Sequence, residues 1–481
     1  MTDLVLALAS GAAGGILIAL MPRAGDRLRN IVALIFSAAG TLFSWRVAGA
    51  VFAGRTIRIS GEIAGLAWSL HPDPLGAVFG LIVSTLWLFA GVYSFGYMAE
   101  EQKQRTYYTY FLLAFSVTLG VAFSGNLLAL YLFYELLTFA TYPLVIHERN
   151  SEAMKAGSKY IIYSLSGAGA ILIAIIIVYS WTGNLDFTGG PLLADCGLRP
   201  GLGWVLALFV AGFGVKAAIM PLHRWLPAAM CAPTPVSALL HAVAVVYSGV
   251  YGIVRVVYSV FGHELAGQLH LSHILPWVAA FTILVGVIIA TQQDVLKRRL
   301  AYHTVSQLSY ILLGAFTLHP WGLAGAICHM ISYSTLKVTL FFGAGIIAKG
   351  TGKVRVSEMS GVGWQLPRTM AAFGIASLGM IGMLPLNTFW SKYYLMRGSV
   401  AMGKWQLALV LIASGLINAF CFIPTVVAAF AEKGEQPVLE KGSAMGLMLA
   451  PTLLLAGIAL LIGLWPGLVW PGVDAVVNWF F

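Results

Sequence analysis

Six ionisable side chains lie inside long apolar stretches. Glu135 sits midway through Tyr131-Leu-Phe-Tyr-Glu-Leu-Leu-Thr138. Lys216 is deep in 203–220, Lys337 is central in 322–348 and Lys392 lies toward the end of 368–396. His241 and His329 have similar surroundings. A charge at the middle of a bilayer costs at least about 2.5–3.5 kcal/mol, so retained charges face a polar interior and mark ion paths. The chemistry available is proton transfer. A carboxylate beside an ammonium holds the lysine charged, and separating them lets the lysine release its proton. Histidine titrates near neutrality and can pass a proton on. The plainer reading of each charge is an ion pair that fixes helix packing. Four such charges on four segments fit a relay better than four isolated staples. No nucleophile with an activating base is visible, so no covalent chemistry is expected.

Helix breakers stand beside two of the lysines. Pro221 follows Lys216 by five residues, and Pro385, behind Gly379 and Gly382, precedes Lys392 by seven. Proline frees a backbone carbonyl one turn earlier, which water or a polar group can then bind. Interrupted spans in corresponding halves are a signature of inverted-repeat transporters. His329, Tyr333 and Lys337 are spaced by four and share one helix face. His147, His223 and His303 lie near predicted helix ends and are read as interfacial. A lone membrane histidine often only bonds one helix to another, which is the plain alternative for His241 and His329. A haem would need histidine pairs on facing helices and is not expected.

These residues require membrane spans to position them. The chain of 481 residues is 59% hydrophobic and only 10% charged, against about 25% charged in a soluble domain. Spans of about 20 apolar residues cross a bilayer core. Fourteen are predicted: 4–21, 30–52, 75–98, 107–124, 126–146, 160–181, 203–220, 235–258, 273–292, 299–317, 322–348, 368–396, 404–430 and 444–466. The first lacks a basic leader and reads as a helix rather than a cleaved signal. The one sizeable break, 53–74, contains Arg55-Thr-Ile-Arg-Ile-Ser60, whose alternation suggests a short β-hairpin or an interfacial segment. With the N-terminus outside, inner loops hold 18 Lys and Arg, including Arg23 and Lys433, and outer loops hold 5. That asymmetry puts both termini outside and the basic loops in the cytoplasm.

The net charge of +10 is therefore a loop anchor, and no nucleic-acid partner is expected, because no basic domain stands outside the spans. Cys196, Cys231, Cys328 and Cys421 form no CxxC pair, so four free thiols and no metal site are expected. No cofactor is expected in the chain.

Several of these segments carry a resemblance. Gly214-Val-Lys216-Ala-Ala-Ile-Met-Pro221-Leu-His-Arg-Trp-Leu-Pro227, followed by Ala232-Pro-Thr-Pro-Val-Ser-Ala-Leu-Leu-His241, resembles the central signature of antiporter-like membrane subunits. These occur in respiratory complex I, in Mrp-type multisubunit cation/proton antiporters and in membrane-bound hydrogenases. Tyr134-Glu135-Leu, Asp294-Val-Leu-Lys297-Arg-Arg-Leu-Ala-Tyr302-His-Thr-Val-Ser-Gln307, the His329 to Lys337 stretch and Phe389-Trp-Ser-Lys392 resemble the family in the same order. The likeness runs from about residue 70 to about residue 430.

The resemblance implies an all-α integral membrane fold of fourteen helices, with two inverted five-helix repeats and broken seventh and twelfth spans. It divides the chain into 1–106, the repeats 107–258 and 273–430, and a C-terminal helix and tail, 444–481. It also implies a Glu135–Lys216 pair, a central line of His241, His329 and Lys337, and a terminal Lys392. Two positions depart from the family pattern. Tyr247 and Tyr333 stand where titrating side chains are common; each keeps a hydroxyl for a water wire. The implied function is proton translocation, with Na⁺/H⁺ exchange as a variant, in a bacterial or archaeal cytoplasmic membrane. The implied partners are other membrane subunits of a hetero-oligomeric complex, which would hold any redox chemistry, and lipid. A subunit of an inorganic-carbon uptake complex and a stand-alone secondary transporter are the alternatives. The retained buried charges argue against a purely structural subunit.

Overall fold

A computed structural model describes residues 1–21, 25–63, 65–101, 103–432 and 439–481. Arg23 and Lys433 of the loop-charge tally lie outside the described residues. The chain is helical except for one hairpin. It opens with α1 (Thr2–Leu20) and α2 (Asp26–Phe52), then β1 (Ile59–Ile63) and β2 (Leu66–Leu70), which pair antiparallel. The alternation in 53–74 thus becomes a hairpin. Next come α3 (Pro74–Tyr97), α4 (Gln104–Ala122), α5 (Leu127–Val145), α6 (Ser151–Thr182), α7 (Leu202–Lys216) and the single turn α8 (Trp225–Ala228). α9 (Thr234–Ala242) and α10 (Val245–Arg255) follow, then a π-helical segment Val256–Phe261, α11 (His263–Gly267), α12 (His270–Thr291), α13 (Leu296–Phe316) and α14 (Pro320–Thr351). The rest is α15 (Val362–Gln365), α16 (Pro367–Ile381), α17 (Thr388–Ala401), α18 (Trp405–Ala429), α19 (Ser443–Leu464) and α20 (Trp470–Phe480).

Local chemistry sets the helix ends. Asp73 caps α3, accepting from the Gly76 N–H at 2.8 Å with Pro74 in the first turn. Asn126 caps α5 and Asn150 caps α6 in the same way, each accepting at 2.8 Å. Among the described residues, ten helices are long and apolar enough to cross a membrane. The predicted spans 107–124 and 299–317 are present as α4 and α13 but are less apolar. For α13 the reason is visible: 18 of its 21 residues are buried, His303, Gln307 and several hydroxyls among them. A helix enclosed by protein need not satisfy lipid.

The bundle is layered. Peripheral helices bury 33–50% of their apolar windows, whereas the stretch Thr234–Phe261 is 100% buried and α14 is 94% buried. Exposed Ile16, Leu42, Leu136, Ile176, Phe281 and Phe420 form part of the outer apolar surface, as a lipid-facing wall requires. α14 is the central pillar, packed against α9, α13, α16, α17 and α19.

Both predicted breaks are present. α7 stops at Lys216 and regular helix does not resume through Pro221. α16 stops at Ile381, and α17 begins only at Thr388. The predicted 235–258 span is present as Thr234–Phe261, with a local interruption that the sequence did not announce. The interruption falls at Val243–Ala244, where Val243 takes φ −141° and ψ −53° and Ala244 takes φ −91° and ψ −85°. Neither glycine nor proline marks that point. The interruption is held by enclosure on all sides, since every residue from Thr234 to Phe261 is buried.

Candidate functional site

Five of the six predicted residues and both tyrosines are buried in the bundle interior, while Glu135 is only partly buried; together they form three groups. The first surrounds Lys216, the last residue of α7, which is fully buried. Its Nζ donates to the Tyr134 carbonyl of α5 at 2.6 Å and lies 3.5 Å from the centre of the Tyr134 ring. Glu135 is the next residue on α5. Its side chain is partly buried, and its Oε1 has no hydrogen-bond partner. Among the described residues no ion pair within 4.0 Å joins Glu135 to Lys216, whose ammonium is bonded instead to the carbonyl of the residue before Glu135. The expected pair is thus adjacent but not closed. Gly249 on α10 lets that helix pack against the end of α7. A Cβ there would sit 2.3 Å from the Ala217 nitrogen and 2.6 Å from the Phe213 carbonyl.

The second group centres on Lys337, fully buried on α14. Its Nζ donates to the Leu300 carbonyl at 2.6 Å and lies 3.2 Å from His303 Nδ1. A span beginning at 299 would put His303 at the interface. α13 begins at Leu296, so His303 lies two turns in and is fully buried. His303, read from the sequence as interfacial, is the histidine in direct contact with Lys337. His241 lies at the end of α9 beside the unpredicted break, and neither ring nitrogen has a hydrogen-bond partner. Its ring faces Phe341 at 5.5 Å, and its carbonyl accepts from the Tyr333 hydroxyl at 3.3 Å.

The third group holds Lys392 on α17. Its Nζ donates to the carbonyls of Met380 at 2.9 Å and Ile381 at 2.7 Å. These belong to the last turn of α16, where carbonyls lack helical partners and the helix dipole favours a cation. Gly382 closes that turn at φ +96°, and a Cβ on it would lie 2.8 Å from Lys392 Cδ. Both the left-handed backbone and the lysine beside it therefore call for glycine. Tyr310 of α13 links this group to histidine: the Lys392 ammonium lies 5.5 Å from its ring centre, and His329 stacks on it at 5.2 Å. His329 Nδ1 lies 2.8 Å from Ser391 Oγ, next to Lys392 in sequence.

Tyr333 and Tyr247 join the groups. Tyr333 lies 6.0 Å from the His329 ring and stacks on Tyr247 at 6.3 Å, while the Tyr247 hydroxyl donates to the Met330 carbonyl at 2.9 Å. Among the described residues no direct hydrogen bond connects Lys216 to Lys337 or Lys392. Orphaned buried polar atoms mark the interior nonetheless: Glu135 Oε1, Thr138 Oγ1, both nitrogens of His241, His303 Nε2, His329 Nε2 and both polar atoms of Gln307. Buried polar groups of this kind normally bind water. Among the described residues, no group of three or more His, Cys, Asp or Glu is placed to hold a metal ion.

Sequence reasoning also missed a buried ion pair. Arg255 of α10 and Asp73 at the start of α3 meet side by side in the interior, 1% and 5% exposed. Arg255 stands three residues from the end of its predicted span and so reads as interfacial. Asp73 before Pro74 carries only a capping signal.

Comparison with known proteins gives this arrangement a lineage. Residues 124–417 match the model of the transmembrane region of the NADH:quinone oxidoreductase/Mrp antiporter family. Residues 61–108 match the N-terminal region of chain 5 of NADH-ubiquinone oxidoreductase (complex I). NADH-quinone oxidoreductase subunit N of Desulforudis audaxviator is 36% identical over 370 residues, covering 76% of this chain and 73% of that protein. A Na⁺/H⁺ antiporter subunit of Bacillus subtilis is 27% identical over 451 residues, covering 93% of this chain and 91% of that protein. A chain of the membrane-bound sulfane sulfur reductase, an archaeal respiratory membrane complex, shares the fold at TM-score 0.88 and 23% identity, covering 99% of this chain and 96% of that one. The match runs through the segments that carry Glu135, Lys216, His241, His329, Lys337 and Lys392, and the chain belongs to the NADH:quinone oxidoreductase/Mrp antiporter transmembrane family.

Proposed function

We propose that this chain is a proton-translocating, antiporter-like subunit of a multisubunit membrane complex. The observation that carries the reading is common to Lys216, Lys337 and Lys392. Each is buried, each donates to backbone carbonyls, and none is locked to a carboxylate within 4.0 Å among the described residues. A lysine held by neutral carbonyls can lose its proton without stranding a bonded anion, whereas one in a closed buried pair is held charged.

In this reading Glu135 is the movable charge. Its approach holds the proton on Lys216, and its withdrawal frees it. The proton then moves toward the Lys337–His303 pair and on through Tyr310, His329 and Ser391 to Lys392. Water at the orphaned polar atoms bridges the gaps. The stretches 107–258 and 273–430 act as two inverted half-channels, each with one broken helix. Tyr247 and Tyr333 hold the wire without titrating. Membrane subunits of a larger complex are the partners, in a bacterial or archaeal cytoplasmic membrane, and any redox chemistry belongs to them.

The test is to purify the assembled complex, reconstitute it in sealed vesicles, and follow lumenal pH with a trapped dye. The expected result is a proton flux that a protonophore collapses. Repeating the assay with and without Na⁺ reads whether a counter-flux accompanies it. A complex containing this chain that moves no protons under any imposed ion gradient or redox drive contradicts the proposal.

A further inference from the structure

The translocation path above does not use the Asp73–Arg255 pair. Its surroundings give it a direction. Arg255 forms a two-pronged contact with the Asp73 carboxylate. It also donates to the Tyr251 hydroxyl from Nε at 2.9 Å and from Nη2 at 2.7 Å. Tyr251 in turn donates to the Ala122 carbonyl at 2.8 Å. Tyr247, Tyr251 and Arg255 recur every four residues on α10 and so run along one helix face. The inner end of this stripe is Tyr247, stacked on Tyr333 of the central line. Phe79 fills the step between the tyrosines, its ring 6.2 Å from Tyr247 and 4.9 Å from Tyr251.

The outer end of the stripe approaches a cavity. The Arg255 guanidinium lies 5.3 Å from the Phe187 ring. Phe187 lines a cavity of about 230 Å³ together with Gly190, Tyr258 and Ser259, large enough for several waters. Ser259 is the next position four residues on, inside the π-helical segment, a feature often found at functional sites. The loop charges assign this end to the outer side of the membrane. The charged groups on the facing elements are few. Asp186 of the neighbouring loop is tied to Arg58, and His71 lies two residues before Asp73.

We propose that Asp73 and Arg255 form the outer release gate of the proton path, an inference that rests on the function proposed above. A proton arriving along Tyr333, Tyr247 and Tyr251 bonds to a carboxylate oxygen of Asp73 and cancels its charge. Arg255 keeps its own proton and stays held by Tyr251 and the Phe187 ring, so the ion pair opens. The acid then gives its proton to water in the outer cavity, and the pair closes behind it. Phe79 keeps the step between the tyrosines dry when no proton is passing.

The experiment uses the assembled complex in vesicles. Asp73→Asn cannot carry the proton yet keeps an oxygen to cap α3. It is expected to lower flux about 10-fold or more with normal assembly, and Asp73→Glu is expected to recover part of it. Tyr247→Phe removes one hydroxyl and is expected to slow flux by about threefold, a loss that a purely structural ion pair would not produce. If Asp73→Asn does not assemble, Ser259→Cys decides, in a Cys196→Ser background. A membrane-impermeant thiol reagent added outside should label the new thiol and block flux. Wild-type flux in Asp73→Asn overturns the gate, and so does a Ser259→Cys variant that is not labelled or whose labelling leaves flux unchanged. If Lys216→Ala stops flux while Asp73→Asn does not, the gate falls alone. If Lys216→Ala leaves flux intact, the underlying function falls first and the gate with it.

Discussion

Lys216 and Lys392 occupy comparable places and are held in different ways. Each sits where a helix breaks, each is buried, and each donates to main-chain carbonyls. Lys216 ends its own broken helix and reaches across to α5, bonding to the carbonyl of the residue before Glu135. Lys392 lies on the far side of its break and reaches back to the last turn of α16. Among the described residues no carboxylate comes within 4.0 Å of it. The first lysine therefore answers to a charge that can move, and the second to dipoles fixed in the backbone. A directional path needs that inequality. One station must be switched, and the other must take up the proton and pass it on without a switch of its own.

The largest effect that would sharpen this comparison is expected from Lys216→Ala, which should abolish proton flux in vesicles. Removing one member of a buried pair can cost about 3–5 kcal/mol, so expression and assembly are measured alongside. Wild-type flux would break the comparison at its first term. Lys392→Ala should come next, with a loss of about 10-fold rather than a complete block, because its carbonyl partners remain able to bind water. Glu135→Gln should slow flux by several-fold while Lys392 is untouched. It removes the movable charge but keeps the side chain's size, and an unchanged rate would show that Glu135 is not the switch. The smallest effect is expected from Gly382→Ala. The left-handed backbone and the contact with Lys392 should cost about 1 kcal/mol of stability, read as a lower melting temperature with a modest fall in flux.

The four charges within apolar spans are legible from sequence because lipid forbids them without a reason, and both breaks are legible because proline and glycine mark them. The hairpin at 59–70 is legible from its alternation. His303 is not, because a three-residue error in the start of α13 moves a histidine from the interior to the surface. The interruption at Val243–Ala244 carries no breaker, since it is imposed by packing on every side. Arg255 and Asp73 are 182 positions apart in the chain, and nothing local to either announces the other. The opening between Glu135 and Lys216 is equally hidden. Sequence can place both residues within apolar spans, but how deeply each is buried and whether their charges touch depend on how α5 and α7 pack.

The most direct test of the account is Lys216→Arg, assembled in its complex and assayed for proton flux in sealed vesicles. Arginine keeps the positive charge beside Glu135 but does not release its proton at physiological pH. Normal assembly with flux lost is the predicted result, because it separates the need for a charge from the need for a proton that can leave. Normal assembly with wild-type flux would contradict the account, and Glu135 and Lys216 would then be a structural pair.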